Sequence, residues 1–250
     1  MNEIGIYCPS WKRGRTAFTH EHLSQARYVV AESQRDEYDG KPIWVAPDSA
    51  QGNLCRIRNW ILDNAPEPWI LLLDDDFSGL VRWDGNRKVD LSEEQTMEHI
   101  EHGFTLAEEW GCVFWGVNCI PDKGAYREYT PFSLTNYIGG PWQAFIGPPE
   151  VRYDEALPLK EDYDLTLQVM NRWRKALRIN FLYYKVKQHT NTGGCADYRT
   201  MEREVEQFEA LRRKWGSQIV RMDGGESRVN RKKGATWDLN PIIRVPIKGV

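Results

Sequence analysis

The run Trp69-Ile70-Leu71-Leu72-Leu73-Asp74-Asp75-Asp76-Phe77 constrains this chain more than any other. Its apolar residues follow one another without polar alternation, then stop at three consecutive carboxylates. An unbroken apolar run of strand length is what a strand covered on both faces looks like. Open α/β sheets built from such strands bind their ligands beyond the strands' carboxyl ends. Three adjacent acids repel one another, and desolvating them without a cation is costly. A divalent metal with oxygen ligands and a phosphate on its far side removes that cost. The plain alternative is a solvated acidic turn after a core strand.

Spacing tests two other readings. An EF-hand loop would use Asp74, Asp76 and Ser78 with Gly79 at the turn, but its twelfth position is Gly85 where a bidentate Glu is needed. A strand in front, where a helix is required, excludes it as well. A two-metal nuclease or phosphatase also clusters carboxylates and stays open.

Around this run, apolar strands and helical stretches alternate, which points to a mostly parallel sheet with helices on its faces. Strands are expected at Glu3–Cys8, Tyr28–Ala31, Ile43–Ala46, Trp69–Leu73, Cys112–Val117 and Ile179–Val186. Helices are expected at Thr19–Ala26, Asn53–Asn64, Glu93–Trp110, Leu165–Trp173 and Thr200–Trp215. Ser133–Gly147, rich in Gly and aromatics, reads as strand and loop close to a ligand. With 250 residues, 41% of them apolar and 28% charged, the chain is long enough for one full core. A single domain over 1–250 is expected, with no repeats or linkers.

No apolar stretch is long enough to span a bilayer. The opening Met1-Asn2-Glu3-Ile4-Gly5-Ile6 has no basic segment leading into an apolar one, so no secretory leader is expected. Cys8, Cys55, Cys112, Cys119 and Cys195 are odd in number and form no C-x-x-C pair, and they read as reduced thiols of a cytosolic protein. The formal net charge of −3 hides an asymmetry: residues 171–250 carry 18 Lys and Arg against 8 Asp and Glu. A basic final third suits a polyanion. Arg228, Arg231, Lys232 and Lys233, with little compensating acid, are the better candidates for nucleic-acid contact, whereas Glu202 to Lys214 partly fits a solvated helix face.

Other residues able to carry chemistry gather in a few places. Glu161 and Asp162 follow the Pro158-Leu159 loop, and a carboxylate there can accept the proton of an attacking hydroxyl. Asp164 reads as a helix cap. His189, at a strand end beside Gly193-Gly194, is a candidate nitrogen ligand, with a structural histidine as its alternative. His99 and His102 read as a solvated face. Arg13 and Arg15 in the first loop, and Arg56 and Arg58 in the third helix, can neutralise a diphosphate, with Arg13 and Arg58 ranked first.

Together these features resemble the nucleotide-sugar-dependent glycosyltransferases of the GT-A fold. The resemblance implies a GT-A-like (Rossmann-like) mixed, mostly parallel sheet flanked by helices. It implies a D-x-D triplet, here Asp74-Asp75-Asp76, holding Mn²⁺ or Mg²⁺ on the donor diphosphate. It further implies a later E-D pair, Glu161-Asp162, supplying the catalytic base, and a late histidine, His189, on the metal. Pro9, Ser10 and Glu32 fall where that family holds the nucleoside. A closer likeness is to the TET-associated glycosyltransferases. It rests on Ile4-Gly5-Ile6-Tyr7, Ile70–Asp76, Glu161–Gln168 and Asn191-Thr192-Gly193-Gly194-Cys195-Ala196-Asp197-Tyr198-Arg199-Thr200, with Trp237 before a basic tail. The first loop, Trp11-Lys12-Arg13-Gly14-Arg15, is bulkier than that pattern.

This second likeness implies a phage enzyme, working in the cytoplasm of the infected bacterium, that attaches a sugar to 5-hydroxymethylcytosine or a related 5-hydroxymethylpyrimidine in DNA. The donor would be a UDP-sugar, UDP-glucose or UDP-N-acetylglucosamine. Residues 1–117 would bind the nucleotide-sugar, and 118–250 would hold the acceptor and the catalytic base. Metal would sit at Asp76 and His189 and, through water, at Asp74, with Asp75 at the donor. Asp162, ahead of Glu161, would take the proton from a flipped-out base's hydroxymethyl group, with Tyr137, Trp142 and Phe145 as stacking residues. A GT-A enzyme acting on a protein or saccharide hydroxyl, a metal-dependent nuclease or phosphohydrolase, and a DNA-binding module are the rival readings.

Overall fold

The computed structural model describes residues 3–119, 126–147, 149–186, 199–222 and 240–245. Its centre is β4 (Trp69–Leu73), buried at every position. Alternate side chains of a strand point to opposite faces. Trp69, Leu71 and Leu73 enter one core and Ile70 and Leu72 the other, which is why the run carries no polar residue. Each such burial contributes about 1.5–3 kcal/mol.

The other strands are β1 (Ile4–Pro9), β2 (Arg27–Ala31), β3 (Ile43–Ala46), β5 (Phe77–Asp84), β6 (Arg87–Asp90), β7 (Phe114–Asn118), β8 (Phe132–Ser133), β9 (Trp142–Ile146) and β10 (Leu177–Val186). They form one sheet in the order β3-β2-β1-β4-β9-β7-β10-β5-β6, with β8 beside β10. β1 to β4, β6, β7 and β10 run one way, whereas β5, β8 and β9 run the other. The expected mixed, mostly parallel α/β sheet in one domain is therefore the observed one. A small pair, β11 (Val220–Met222) and β12 (Pro241–Ile243), lies apart.

Helix α3 (Glu93–Glu109) covers the first face through Ile100, Phe104 and Ala107. Ser92 and Gln95 close its start as a reciprocal capping box. Helices α2 (Leu54–Asn64) and α4 (Glu161–Trp173) cover the second face. Asn53 caps α2 by accepting from the Arg56 N–H at 3.0 Å. The short α1 (Thr19–His22) sits beside the acidic turn, and α5 (Met201–Trp215) packs on a smaller core of Leu157, Leu167, Phe208, Leu211 and Val220.

Several expectations are corrected by the structure. Thr19 to Ala26 is helical only to His22. Helix α4 starts four residues earlier than the apolar periodicity indicates, at Glu161 instead of Leu165, because its first turn is acidic and buried. The β5–β6 hairpin, turning at Gly85-Asn86 with Gly85 at φ 56°, lies where no strand was expected; Ser78, Gly79 and Arg82 interrupt its apolar pattern. A strand, not a helix, thus flanks the acids on either side, in keeping with the exclusion of an EF-hand.

Gly103 of α3 is set by packing. A Cβ there would lie 2.4 Å from the ring of the fully buried Trp115. Alanine gains about 1 kcal/mol over glycine in a helix interior. Forcing the indole aside costs about 1–3 kcal/mol, which outweighs that gain. Gly103→Ala is therefore expected to lower the denaturation midpoint despite its better helix propensity. A stabilised variant would show that Trp115 does not depend on this gap.

Candidate active site

β1 and β4 are parallel neighbours, so the chain leaves both at the same sheet edge. The first loop therefore meets the acidic triplet directly. Ser10 Oγ and Arg13 Nη1 both donate to Asp75, the arginine at 2.7 Å. Tyr38 lies 2.7 Å from Ser10 Oγ and accepts from the Arg13 N–H at 3.1 Å. Gly14 presses against Glu37, where a Cβ would lie 1.9 Å from the carbonyl oxygen, so only glycine fits this approach. Phe18 N–H donates to the Asp75 carbonyl, and Thr19 Oγ1 donates to that of Asp74.

Of three residues expected at the donor, Ser10 and Arg13 thus both bond the third, Asp75. Asp75 is buried, and its carboxylate anchors the first loop. Pro9 is half-buried beside this network, whereas Glu32 is exposed at the end of β2.

Asp76 is different. It is 7% exposed, its Oδ2 stands 3.9 Å from Arg13, and its Oδ1 has no hydrogen-bond partner among the described residues. Burial, reinforced by the charges of Asp74 and Asp75, pushes its carboxyl up to about 7. A buried, unpartnered carboxylate oxygen beside the half-exposed Asp74 is an environment that a cation would relieve. Asp74 and Asp76 therefore fit a divalent ion. Among the described residues no three His, Cys, Asp or Glu side chains converge as a metal site. His189, the expected further ligand, lies outside the described residues, as do most of the Asn191–Thr200 block, Trp237 and the Arg228–Lys233 cluster.

Arg58 reaches this edge from α2 and is 1% exposed. It was expected to face a diphosphate, but its guanidinium is directed at protein groups: Glu161 Oε1 at 3.2 Å, Asp74 Oδ1 at 3.3 Å and the Gly140 carbonyl at 2.9 Å. The sequence marks its charge but not its depth. Burial opposes that charge, yet the surrounding Tyr153, Glu161 and Asp74 hold it in place.

Glu161 and Asp162, the first two residues of α4, face the same edge and divide into two roles. Glu161 is buried against Arg58, and burial together with the Asp162 charge pushes its carboxyl up to about 8. Asp162 is half-buried. Its Oδ2 accepts from the Tyr137 hydroxyl and from the Gly140 N–H at 3.0 Å, and its Oδ1 accepts from the Tyr163 N–H at 2.8 Å. Burial, with the Asp162 charge beside it, holds the Tyr137 phenol well above its ordinary range, so the hydroxyl keeps its proton and donates.

Two expectations nearby are overturned. Trp142 and Phe145 lie on the doubly covered β9 and are buried in the two cores, against Phe77 and Trp115 and against Phe114 respectively, so neither is open to a ligand. Asp164 does not cap α4. It is fully buried and accepts from Gln168, Lys214 and Trp215 Nε1, the last at 2.7 Å, which fastens α5 to α4. The buried pair Lys160–Glu204, at 2.5 Å, makes a second tie that no local pattern announced.

The raised carboxyls give a signed pH dependence. Asp76 moves from 3.8 to about 7 and Glu161 from 4.5 to about 8, so between pH 5 and 7 the folded chain holds protons that the unfolded chain has released. Metal-free stability is then expected to fall as pH rises from 5 to 8, with Asp76→Asn flattening the slope. Denaturant titrations at several pH values read this directly. A stability that rises over the same range would contradict the assignment.

No protein-family model matches the sequence, and a search of curated proteins finds no match. Among solved structures, the chain is similar to a mycobacterial protein at 10% identity and a TM-score of 0.50, covering 97% of this chain and 84% of that one. It is also similar to residues 1–349 of S. aureus TarS at 12% identity and a TM-score of 0.46, covering 72% of this chain and 60% of that one. The TarS complex with UDP-GlcNAc gives 12% identity and a TM-score of 0.47, covering 84% and 64%. The chain thus spans less than two thirds of the TarS fragment. The mycobacterial likeness concerns the fold alone. With the strand order above, the fold is the mixed, mostly parallel sheet flanked by helices that the sequence led us to expect.

Proposed function

We propose that this chain is a metal-dependent glycosyltransferase. In this reading it moves a sugar from a UDP-sugar to the hydroxymethyl group of a 5-hydroxymethylpyrimidine, 5-hydroxymethylcytosine foremost, in phage DNA. One observation carries the reading: Asp74, from the acidic triplet at the end of β4, meets Glu161, from the Glu161-Asp162 pair at the start of α4, across a shared buried arginine, Arg58. One acidic pair suits a cation on a diphosphate, and the other offers a base to an acceptor. The choice of DNA rests on the resemblance of the Asn191–Thr200 block and on the basic final third.

Within this scheme residues 1–117 bind the donor and 118–250 the acceptor. Asp76 and Asp74 would hold Mn²⁺ or Mg²⁺ with His189, and such an ion, when bound, neutralises charge building on the departing diphosphate. Pro9 and Glu32 border the nucleoside. Asp162 is the better base of its pair, because Glu161 is buried and committed to Arg58. A carboxylate has about four lone-pair sites, and the described protein donors occupy three on Asp162, which leaves capacity on Oδ1. Asp162 takes the hydroxyl proton as the oxygen attacks the anomeric carbon and the diphosphate leaves. The target base must leave the stack to present that hydroxyl.

Incubating the protein with UDP-glucose or UDP-N-acetylglucosamine, Mn²⁺, and DNA with or without 5-hydroxymethylcytosine tests the scheme. After digestion to nucleosides, mass spectrometry is expected to show a sugar-sized gain on the modified base alone. UDP release without a gain on DNA would move the acceptor to a protein or saccharide. No UDP release from any donor would remove the glycosyltransferase reading and favour a nuclease assay. Asp162→Asn is expected to cut kcat by about 10²–10⁴-fold. Full activity in that variant would take the base role from Asp162.

A further inference from the structure

We infer that Tyr137 is a positioning residue for the base, holding the Asp162 carboxylate in one orientation through its hydroxyl. The inference rests on the glycosyltransferase reading for its consequence, but its geometry is independent of it. Three features converge on Tyr137.

Its hydroxyl donates to Asp162 Oδ2, the same oxygen that accepts from the Gly140 N–H at 3.0 Å. Its ring lies parallel to that of Tyr163, with centroids 4.2 Å apart and planes 12° apart, so the phenol is held from the side by the residue next to the base. Its carbonyl accepts from Arg178 Nη1 at 3.2 Å, which fixes the backbone from β10. Two donors from the 137–140 segment thus occupy Oδ2, and the Tyr163 N–H at 2.8 Å takes one site on Oδ1.

The space around Oδ2 is closed. A Cβ on Gly140 would stand 3.3 Å from that oxygen and 3.5 Å from Glu161 Oε1. The Gly140 peptide also joins the two acidic pairs, since its carbonyl accepts from Arg58 at 2.9 Å. A carboxylate held this way turns little about its terminal torsion, and Oδ1 is the oxygen left to take a proton. Misplacing a reacting group by about an ångström costs on the order of 10²-fold in rate. A tyrosine hydroxyl that removes this freedom acts on turnover, not on donor affinity.

Tyr137→Phe keeps the ring and its stacking while deleting the donor. The expected result, in the full chain with Mn²⁺, a UDP-sugar and hydroxymethylated DNA, is a kcat reduced by about 10–100-fold with donor KM within about twofold. A Tyr137→Phe kcat equal to wild type, in an enzyme that Asp162→Asn inactivates, would overturn the positioning role and leave the base in place. Full activity in Asp162→Asn would overturn the base and this role together.

If the wild-type protein transfers sugar to no acceptor, melting temperatures still decide the contact. The shifts of Tyr137→Phe, Asp162→Asn and the double variant are expected to be non-additive. Strictly additive shifts would overturn the contact itself.

Discussion

Everything at this sheet edge depends on holding like charges together out of water. The ends of β4 and α4 bring five carboxylates to one place, and two arginines answer them from opposite sides. Arg13 comes from the loop after β1 and reaches Asp75 and Asp76. Arg58 comes from α2 and reaches Asp74 and Glu161. Neither arginine cancels the charge fully: burial and the neighbouring acids still push the carboxyls of Asp76 and Glu161 well above the ordinary carboxylate range. A buried arrangement that is short of positive charge contributes little stability and is better understood as readiness for a ligand.

The rest of the fold can be seen as support for that edge. β1, β4 and β9 are adjacent, so the first loop, the acidic triplet and the Gly139-Gly140 turn emerge side by side. Two cores hold those strands from both faces, and α4 brings its acidic first turn over them. Two buried ties to α5, Lys160–Glu204 and Asp164–Trp215, flank Glu161 and Asp162 in sequence. Glu161 and Asp162 are therefore held in place by a helix far along the chain.

Much of this was legible in the residues. The apolar run ending in acids placed β4 and its edge, since a strand buried on both faces leaves no room for polar alternation. The E-D pair was marked by its loop and charge. What was hidden follows from depth and long-range pairing. Arg13 and Arg58 look alike in sequence as loose cations beside a diphosphate, yet Arg58 is sealed under the acids. Trp142 and Phe145 look like stacking residues in a glycine-rich segment, yet they lie on a central strand. Asp164 looks like a cap because it sits in a first turn, whereas its partners lie some fifty residues later. Periodicity reports which face a residue takes on its own element, not what another element brings to it.

The position of β9 has a consequence for how the chain acquires its shape. β4 pairs with β1 early in the sequence, but its other edge stays open until β9, with Leu73 meeting Trp142 and Trp69 meeting Ile146. During synthesis the most apolar strand of the protein therefore waits, unpaired on one side, while some seventy further residues are made. An open, apolar strand edge is a template for pairing with another chain. A fragment of the first 117 residues alone, ending before β9, is thus a poor one to express, and the antiparallel strand that looks like an interruption of the sheet is what closes it against aggregation.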